Sequence, residues 1–136
     1  MYSVKQVAEI LHLTEHTIRY YTDQGLVPHM KRDKNNNRIF DEASLKWLEC
    51  AKHLRKCGMS IADIKTYVNL CLEGDSTTQE RYDIFMKQKQ IAQAQLEEAR
   101  ERATYIEEKT EAYLNILQGA HSGNVNSANK QAESFK

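Results

Sequence analysis

The chain has 136 residues, 19 of them basic and 19 acidic, so its formal net charge at pH 7 is zero, and its length suits about one domain with an appendage. The charge is uneven, with 10 basic against 7 acidic residues through Ser60, while no signal-peptide pattern and no run of about 18 apolar residues is present. The missing apolar run leads us to expect a soluble protein without a membrane partner. Three cysteines at spacings of seven and fourteen resemble neither a disulfide framework nor a metal knuckle, so we expect a reducing, cytoplasmic location.

The first two predicted helices form a helix-turn-helix unit. Ser3 and Gln6 have the spacing of a capping box, and apolar residues then recur at helical spacing. In the second helix Thr14 is the expected N-cap and Gly25 the C′ residue, because glycine accepts the left-handed conformation without steric strain. Only "HLT" separates the two helices, which is typical of a helix-turn-helix.

The segment "HMKRDKNNNRIF" after Pro28 has no helical period. Its three successive asparagines suit a tight turn, because asparagine tolerates positive φ. Lys31, Arg32 and Arg38 flank that turn. We predict a short two-stranded wing with a basic surface.

Two further helices are predicted after the wing. Asp41 is the expected N-cap of the first and Gly58 its stop. A second capping box, "SIAD" from Ser60 to Asp63, opens the next helix. The apolar side of that helix carries Ile61, Ile64, Val68 and either Cys71 or Leu72.

A long helix is predicted from about Thr77 to Leu117, because nothing in that stretch breaks a helix and its apolar residues repeat every seven positions. At 1.5 Å per residue it is roughly 60 Å long, too long to bury its stripe on a head of this size, so we expect it to pair with a second copy. We predict a mainly α protein with a winged helix-turn-helix domain (1–75), a coiled-coil dimerisation helix (76–118) and a flexible tail (119–136). The repeat consists of Phe85, Ala92, Ala99, Ile106 and Tyr113, with Leu96, Ala103 and Leu117 four residues after three of them.

The second helix offers a candidate surface for nucleic acid. We expect Ile18 to pack inward with one of the two adjacent tyrosines, and the flank with Thr17, Arg19 and Tyr20 to face outward. On one interpretation Arg19 and a tyrosine hydroxyl contact DNA phosphate or a base edge. On the other, the outward tyrosine is only a partly exposed amphipathic side chain. The upstream helix-turn-helix and the downstream basic wing favour DNA.

The cysteines are candidates for sensing. Cys50 and Cys57 lie two turns apart on one helix among basic residues and His53, and nearby positive charge lowers a thiol pKa and raises its reactivity. The alternative is that cysteines are small buried hydrophobes, which is our interpretation of Cys71. No glycine-rich phosphate loop, nucleophile elbow, carboxylate dyad or metal-ligand spacing is present, so we expect no enzyme activity, cofactor or metal.

Three stretches together resemble the MerR family of bacterial transcription regulators: "TIRYYTDQGLV", then Arg38 with Phe40, then "LKWLECAKHLRKCGMSIADI". The resemblance extends roughly from Tyr2 to Leu117. It implies a homodimer joined by an antiparallel coiled coil of the last helix, bound to a pseudo-palindromic promoter operator. It further implies that the dimer distorts the promoter DNA so that RNA polymerase can engage both promoter elements.

The family motifs carry over to particular positions of this chain. Asn36 and Asn37 stand where the family wing usually has Gly-Tyr, and neither end of the long helix has the cysteines of metal-sensing members. The chain is most similar to the short branch that responds to aldehyde or thiol stress, with His53 at the position of that branch's sensing cysteine and Cys50 and Cys57 on either side. The implied DNA contacts are Thr14, His16, Thr17, Arg19, Tyr20, Lys31, Arg32 and Arg38.

A hypothesis from another class remains beside this one. The chain would then be a coiled-coil interaction protein whose winged head binds protein rather than DNA.

Overall fold

The computed structural model describes residues 1–119, so the tail predicted from Gly119 onward lies, beyond that residue, outside the described part. The chain divides into two compact units, residues 1–90 and the segment from Ile91 onward. The predicted class, mainly helical with a winged helix-turn-helix head and a long last helix, is confirmed. In chain order the elements are β1 (Tyr2–Ser3), α1 (Val4–Leu11), α2 (Glu15–Asp23), β2 (Lys31–Arg32), β3 (Arg38–Phe40), α3 (Glu42–Lys56), α4 (Ile61–Glu73), a 3-10 turn (Asp75–Thr77) and α5 (Thr78–Leu117).

Side-chain caps begin the two helices of the helix-turn-helix, as predicted. The Ser3 hydroxyl accepts from the Gln6 N–H at 3.1 Å, and the Gln6 side chain accepts from the Ser3 N–H at 2.8 Å, which completes a capping box at α1. At α2 the Thr14 hydroxyl accepts from the Thr17 N–H at 3.0 Å. Each cap satisfies a backbone donor that has no partner within the helix.

The sheet has three antiparallel strands in the order β1-β3-β2. Strands β2 and β3 form the predicted two-stranded wing, and β1 adds a third strand that was not predicted from the sequence. Strand β1 pairs Tyr2 with Phe40 and Ser3 with Ile39. A strand of two residues is too short to show an alternating pattern, and it exists only because β3 comes alongside it. We call residues 31–40, which contain β2, its turn and β3, the wing.

Helices α3 and α4 are capped by Asp41 and Ser60 at their N-termini. The Asp41 carboxylate accepts from the Ser44 N–H at 2.8 Å, as predicted. The Ser60 hydroxyl accepts from the Asp63 N–H at 3.1 Å, but within the described residues no bond returns from the Ser60 N–H to the Asp63 side chain. The predicted second capping box is therefore only half formed, since aspartate is one methylene shorter than the glutamate of the motif.

The core of the first unit lies between the helix-turn-helix and the α3–α4 pair. Of the two candidates for the last apolar position of α4, Cys71 is half-buried and Leu72 is 52% exposed, so Cys71 takes the inward position. The core contains the predicted inward residues Ile18, Ile64 and Val68, whereas Ile61 is only half-buried at its edge. The core residues are Val7, Ala8, Leu11, Ile18, Tyr21, Leu26, Val27, Phe40, Leu48, Ala51, Leu54, Met59, Ile64 and Val68.

The second unit contains the rest of α5, a helix that is unbroken from Thr78 to Leu117, close to the predicted bounds. Its repeating apolar side chains are exposed: Leu96 by 59%, Ile106 by 61% and Leu117 by 83%. Among the helices of residues 1–119, none combines the length and apolar character that crossing a membrane requires.

Candidate nucleic-acid interface

Helix α2 divides its side chains between the core and solvent. Ile18 is fully buried and Tyr21 is 7% exposed, whereas Tyr20 is 43% exposed and Arg19 lies beside it in solvent. The predicted division of the two tyrosines is therefore confirmed: Tyr21 is the core ring and Tyr20 the outward one. An exposed arginine and an amphipathic ring on one short helix form a surface that can donate hydrogen bonds to phosphate and base edges.

The threonines at the start of α2 have a structural role of their own. Thr14 is the N-cap, and its hydroxyl also donates to the Thr17 hydroxyl at 2.8 Å. Thr17 is half-buried, while His16, between them, is exposed. The cap leaves the N-terminal N–H groups of α2 partly satisfied and places His16 at the positive end of the helix, where an anion is favoured.

The turn of the wing is held by Asp33. Its Oδ1 accepts from the backbone N–H groups of Asn35 at 2.9 Å and Asn37 at 2.8 Å. The bond from Asn37 is the main cause that lowers the pKa of Asp33 below its ordinary range. The bond from Asn35 adds to it, and partial desolvation opposes it. Asn36 has a φ of 65°, which confirms the expectation that an asparagine would take the left-handed position.

Each candidate cation of α2 and the wing already has an acceptor within the chain. For three of these cations the acceptor is a carboxylate. An exposed ion pair contributes only about 0–1 kcal/mol to stability, so a DNA phosphate can replace such a carboxylate with little loss of free energy. Arg38 differs from the other cations because its side chain is only 18% exposed. The pairs are Arg19 with Glu15 at 3.2 Å, Lys31 with Asp41 at 3.1 Å, Arg32 with the Asn36 carbonyl at 2.9 Å and Arg38 with Asp23 at 2.7 Å.

A polar cleft of about 330 Å³ brings together Arg19 from α2, Arg32 and Arg38 from the wing, and Lys5 from the first turn of α1. The sequence predicted the first three as a surface but missed Lys5. Strand β1 places the start of α1 beside β3, and the prediction lacked that strand. The available signal was a basic residue at the start of the first predicted helix.

The thiols differ from the prediction made for them. Burial first, and then the Cys71 thiol nearby, raises the pKa of Cys50, so the expected lowering by basic neighbours is wrong for this residue. The basic groups point elsewhere: the Lys52 ammonium donates to the Leu11 carbonyl at 2.6 Å and Arg55 to the Met59 carbonyl at 2.7 Å. Cys57 is exposed at the end of α3, and His53 is exposed on the same helix.

Cys71 lies beside the half-buried ring of Tyr67 on helix α4. Burial, together with a hydrogen bond involving the Cys71 thiol, raises the pKa of Tyr67 to about 12. The Tyr67 ring meets that of Phe85 edge-to-face, with centroids 5.1 Å apart and planes at 88°. This contact packs the start of α5 on α4 and leaves Phe85 39% exposed. Across residues 1–119 no group of three or more His, Cys, Asp or Glu side chains is arranged to hold a metal ion.

Comparison with known proteins places these features in one family. The MerR helix-turn-helix regulatory protein family matches residues 2–71. An uncharacterised helix-turn-helix transcriptional regulator of Haemophilus influenzae is 32% identical over 82% of this chain and 83% of its own length. The regulator AdhR of Bacillus subtilis is 39% identical over 65% of this chain and 63% of its own length.

Two solved structures have the same fold. The crystal structure of HiNmlR, a MerR family regulator lacking the sensor domain and bound to promoter DNA, matches 86% of this chain and 93% of its own, with a TM-score of 0.74 and 31% identity. A MerR family regulator of Bacillus thuringiensis matches 81% of this chain and 96% of its own, with a TM-score of 0.70 and 35% identity. These matches confirm the prediction of a regulator rather than an enzyme. The chain belongs to the MerR family of helix-turn-helix transcriptional regulators.

Proposed function

We propose that this regulator binds promoter DNA with the exposed face of α2 in the major groove and the wing on the adjacent backbone. The observation that carries the proposal is the exposure of Arg19 and Tyr20 on the side of α2 away from its buried residues, beside the polar cleft that four cations line. A recognition helix reads base edges while surrounding cations fix its register on the phosphates. The DNA-bound state of the similar HiNmlR supports this assignment. The proposed contacts are Thr14, His16, Thr17, Arg19, Tyr20, Lys31 and Arg32, with Arg38 in the same surface.

We infer that the active species is a homodimer joined through α5. The apolar repeat of the second unit is exposed at Leu96, Ile106 and Leu117, and apolar side chains repeating every seven residues suit a coiled coil. A two-fold dimer presents two copies of α2, which matches a pseudo-palindromic operator. Bending and untwisting of the DNA between the half-sites would then bring promoter elements into register for RNA polymerase.

The inducer is a finer proposal. We infer that an electrophile or oxidant acts first at Cys57, because this thiol is exposed whereas burial raises the pKa of the Cys50 thiol. Cys57 is the C-cap of α3 and stands two residues before the buried Met59, so we expect an adduct there to disturb the junction of α3 and α4. In a promoter-reporter strain, Cys57→Ser is expected to abolish the response to an aldehyde or thiol oxidant and Cys50→Ser to retain it. A response that survives in Cys57→Ser contradicts this assignment.

An enrichment experiment separates DNA binding from the alternative that the winged head binds protein. The full chain is incubated with a random-sequence duplex library, and bound duplexes are amplified over successive rounds. We expect a palindromic duplex to emerge and to bind with a Kd of about 10 nM or below at physiological salt. If no duplex is enriched over the starting library, the DNA-binding proposal fails and the protein-docking alternative takes its place.

A further inference from the structure

The guanidinium of Arg38 links the wing to helix α2. Its Nη2 donates to the Asp23 Oδ1 at 2.7 Å, and the Arg38 side chain is 18% exposed against 60% for Asp23. Across residues 1–119 no other hydrogen bond or ion pair joins α2 to the wing. This pair is therefore the one polar link between α2 and the wing within those residues, beside the core to which Ile18 of α2 and Phe40 of the wing both belong.

Asp23 is otherwise poorly placed. It is the last residue of α2, and the last turn of this helix contains no basic residue. The C-terminal end of a helix carries partial negative charge, so a carboxylate there is unfavourable unless a cation compensates for it. Arg38 supplies that cation from strand β3. The carboxylate of Asp23 is therefore explained by its pairing with Arg38 and not by the stability of helix α2.

Arg38 also needs Asp23. In the ladder between β2 and β3, Arg38 stands directly opposite Arg32, and like charges in opposed positions destabilise a sheet. Asp23 neutralises one of the two arginines, while the other donates to the Asn36 carbonyl at 2.9 Å. The ion pair therefore relieves a repulsion within the wing and fixes the wing on α2 at the same time.

We propose that Asp23 is a positioning residue for DNA recognition, and that Arg38 serves as a strut between α2 and the wing rather than as a donor to phosphate. The proposal rests on the proposed function, because it concerns the geometry of that interface. Arg38 thereby takes a different role from the one that its motif position implies. Asp23, which lies within "TIRYYTDQGLV" but is not among the implied DNA contacts, gains a role. Arg19 and Arg32 remain the phosphate donors on either side of the strut.

The test compares carboxylates on one helix. Asp23→Asn and Glu15→Gln each remove one negative charge from α2, but only the first breaks the link to the wing. With the duplex enriched from the random library, we expect Asp23→Asn to weaken binding roughly tenfold, the scale of coupling between residues in contact. Glu15→Gln is expected to leave binding unchanged or to strengthen it slightly, because it removes a carboxylate beside Arg19. Asp23→Glu, which keeps the charge, is expected to restore most of the affinity.

Arg38→Gln and the double variant complete the cycle. As a strut, Arg38 gives a loss equal to that of Asp23→Asn, the double variant is no weaker than either single one, and the slope of log Kobs against log salt is unchanged. As a phosphate donor, Arg38→Gln lowers the magnitude of that slope by about 0.9, and Asp23→Asn strengthens binding as Glu15→Gln does. Either of these two results overturns the proposal.

Two controls keep the result specific. Far-UV circular dichroism at the assay temperature verifies that each variant is folded. We expect the Asp23 variants to fold, because the Asp23 side chain is 60% exposed. Failure of the unaltered protein to enrich any duplex counts against the proposed function and not against the strut.

Discussion

Gly25 and Gly58 end helices α2 and α3 in the same way but in different surroundings. Both have positive φ, 78° and 94°, and in both cases the next residue donates its N–H back into the last turn of the helix, to the Tyr21 and Leu54 carbonyls respectively. This is the Schellman arrangement. The sequence predicted the two glycines as the ends of these helices, without specifying this pattern of bonds. A Cβ at Gly25 would meet the ammonium of Lys65, which donates to the Gly25 carbonyl at 2.8 Å. At Gly58, chain neighbours aside, no atom of residues 1–119 lies within 4 Å of an added Cβ.

Alanine at these two positions is expected to have unequal effects. Left-handed backbone costs an alanine about 1–2 kcal/mol, so Gly58→Ala is expected to lower the free energy of unfolding by that amount. Gly25→Ala is expected to lower it by about 1–2 kcal/mol more, because displacing the Lys65 ammonium also breaks a charged hydrogen bond. Urea denaturation measures both. In a Lys65→Met background the difference is expected to vanish, and equal effects in the unaltered background would contradict this account.

Acid sensitivity is expected at Asp41. The Ser44 N–H first, and then Lys31, lower the pKa of the Asp41 carboxyl from its ordinary value of 3.8 to about 2. A carboxyl with a depressed folded pKa stabilises the fold above its unfolded pKa, and that contribution is lost as pH falls through the folded value. Stability is therefore expected to decline between about pH 4 and pH 2. Asp41→Asn keeps the cap but cannot titrate, so its unfolding free energy should decline less steeply over that range; an unchanged decline would exclude Asp41 as a cause.

At the scale of the element, the helices were predictable because the residues at their ends determine where each helix begins and stops. Thr14 and Asp41 mark starts and Gly25 and Gly58 mark stops through side chains or conformations that act within a few residues. Strand β1 was not predictable, because its two residues adopt it only through pairing with the distant strand β3. The pKa of Cys50 was mispredicted for a related reason: sequence shows which charges are near along the helix, but burial and the direction of basic side chains depend on tertiary packing.

Helix α5 is the element on which the proposed dimer depends. Ile106 lies in its apolar repeat and is 61% exposed, while Glu108 lies two residues further, off that repeat, and is exposed. Ile106→Lys is expected to shift the protein from dimer to monomer at micromolar concentration, because it puts charge into the coiled-coil seam. Glu108→Lys introduces the same side chain outside the seam and is expected to remain dimeric. Sedimentation equilibrium distinguishes the two, and a dimeric Ile106→Lys would contradict the proposed interface.

At the scale of the whole molecule, the helices after the wing hold the helix-turn-helix in place. The Lys52 ammonium of α3 donates to the Leu11 carbonyl at the end of α1, and the Lys65 ammonium of α4 to the Gly25 carbonyl after α2. Both satisfy carbonyls at helix ends, where the partial charge is negative and a cation is favourable. These two bonds therefore link the α3–α4 pair directly to the ends of both helices of the helix-turn-helix.

The candidate interface was predictable only where it depends on neighbours along one helix. The outward position of Arg19 and Tyr20 follows from helical spacing and the inward pull of Ile18, all within one helix. Lys5 and Asp23 were missed, because the place of each in the interface depends on which element comes alongside the wing. The sequence therefore indicated the exposed face of α2 and missed the residues of α1 and of the end of α2 that lie against the wing.

The central claim is that α2 presents Arg19 to DNA phosphate. The most direct test measures log Kobs against log salt with the enriched duplex, for the unaltered protein, Arg19→Ala and the control Lys87→Ala, which removes an exposed cation from α5. We predict weaker binding by Arg19→Ala at every salt concentration and a slope smaller in magnitude by about 0.9 for each phosphate that Arg19 neutralises, with Lys87→Ala unchanged. An Arg19→Ala protein with the affinity and the slope of Lys87→Ala would contradict the claim.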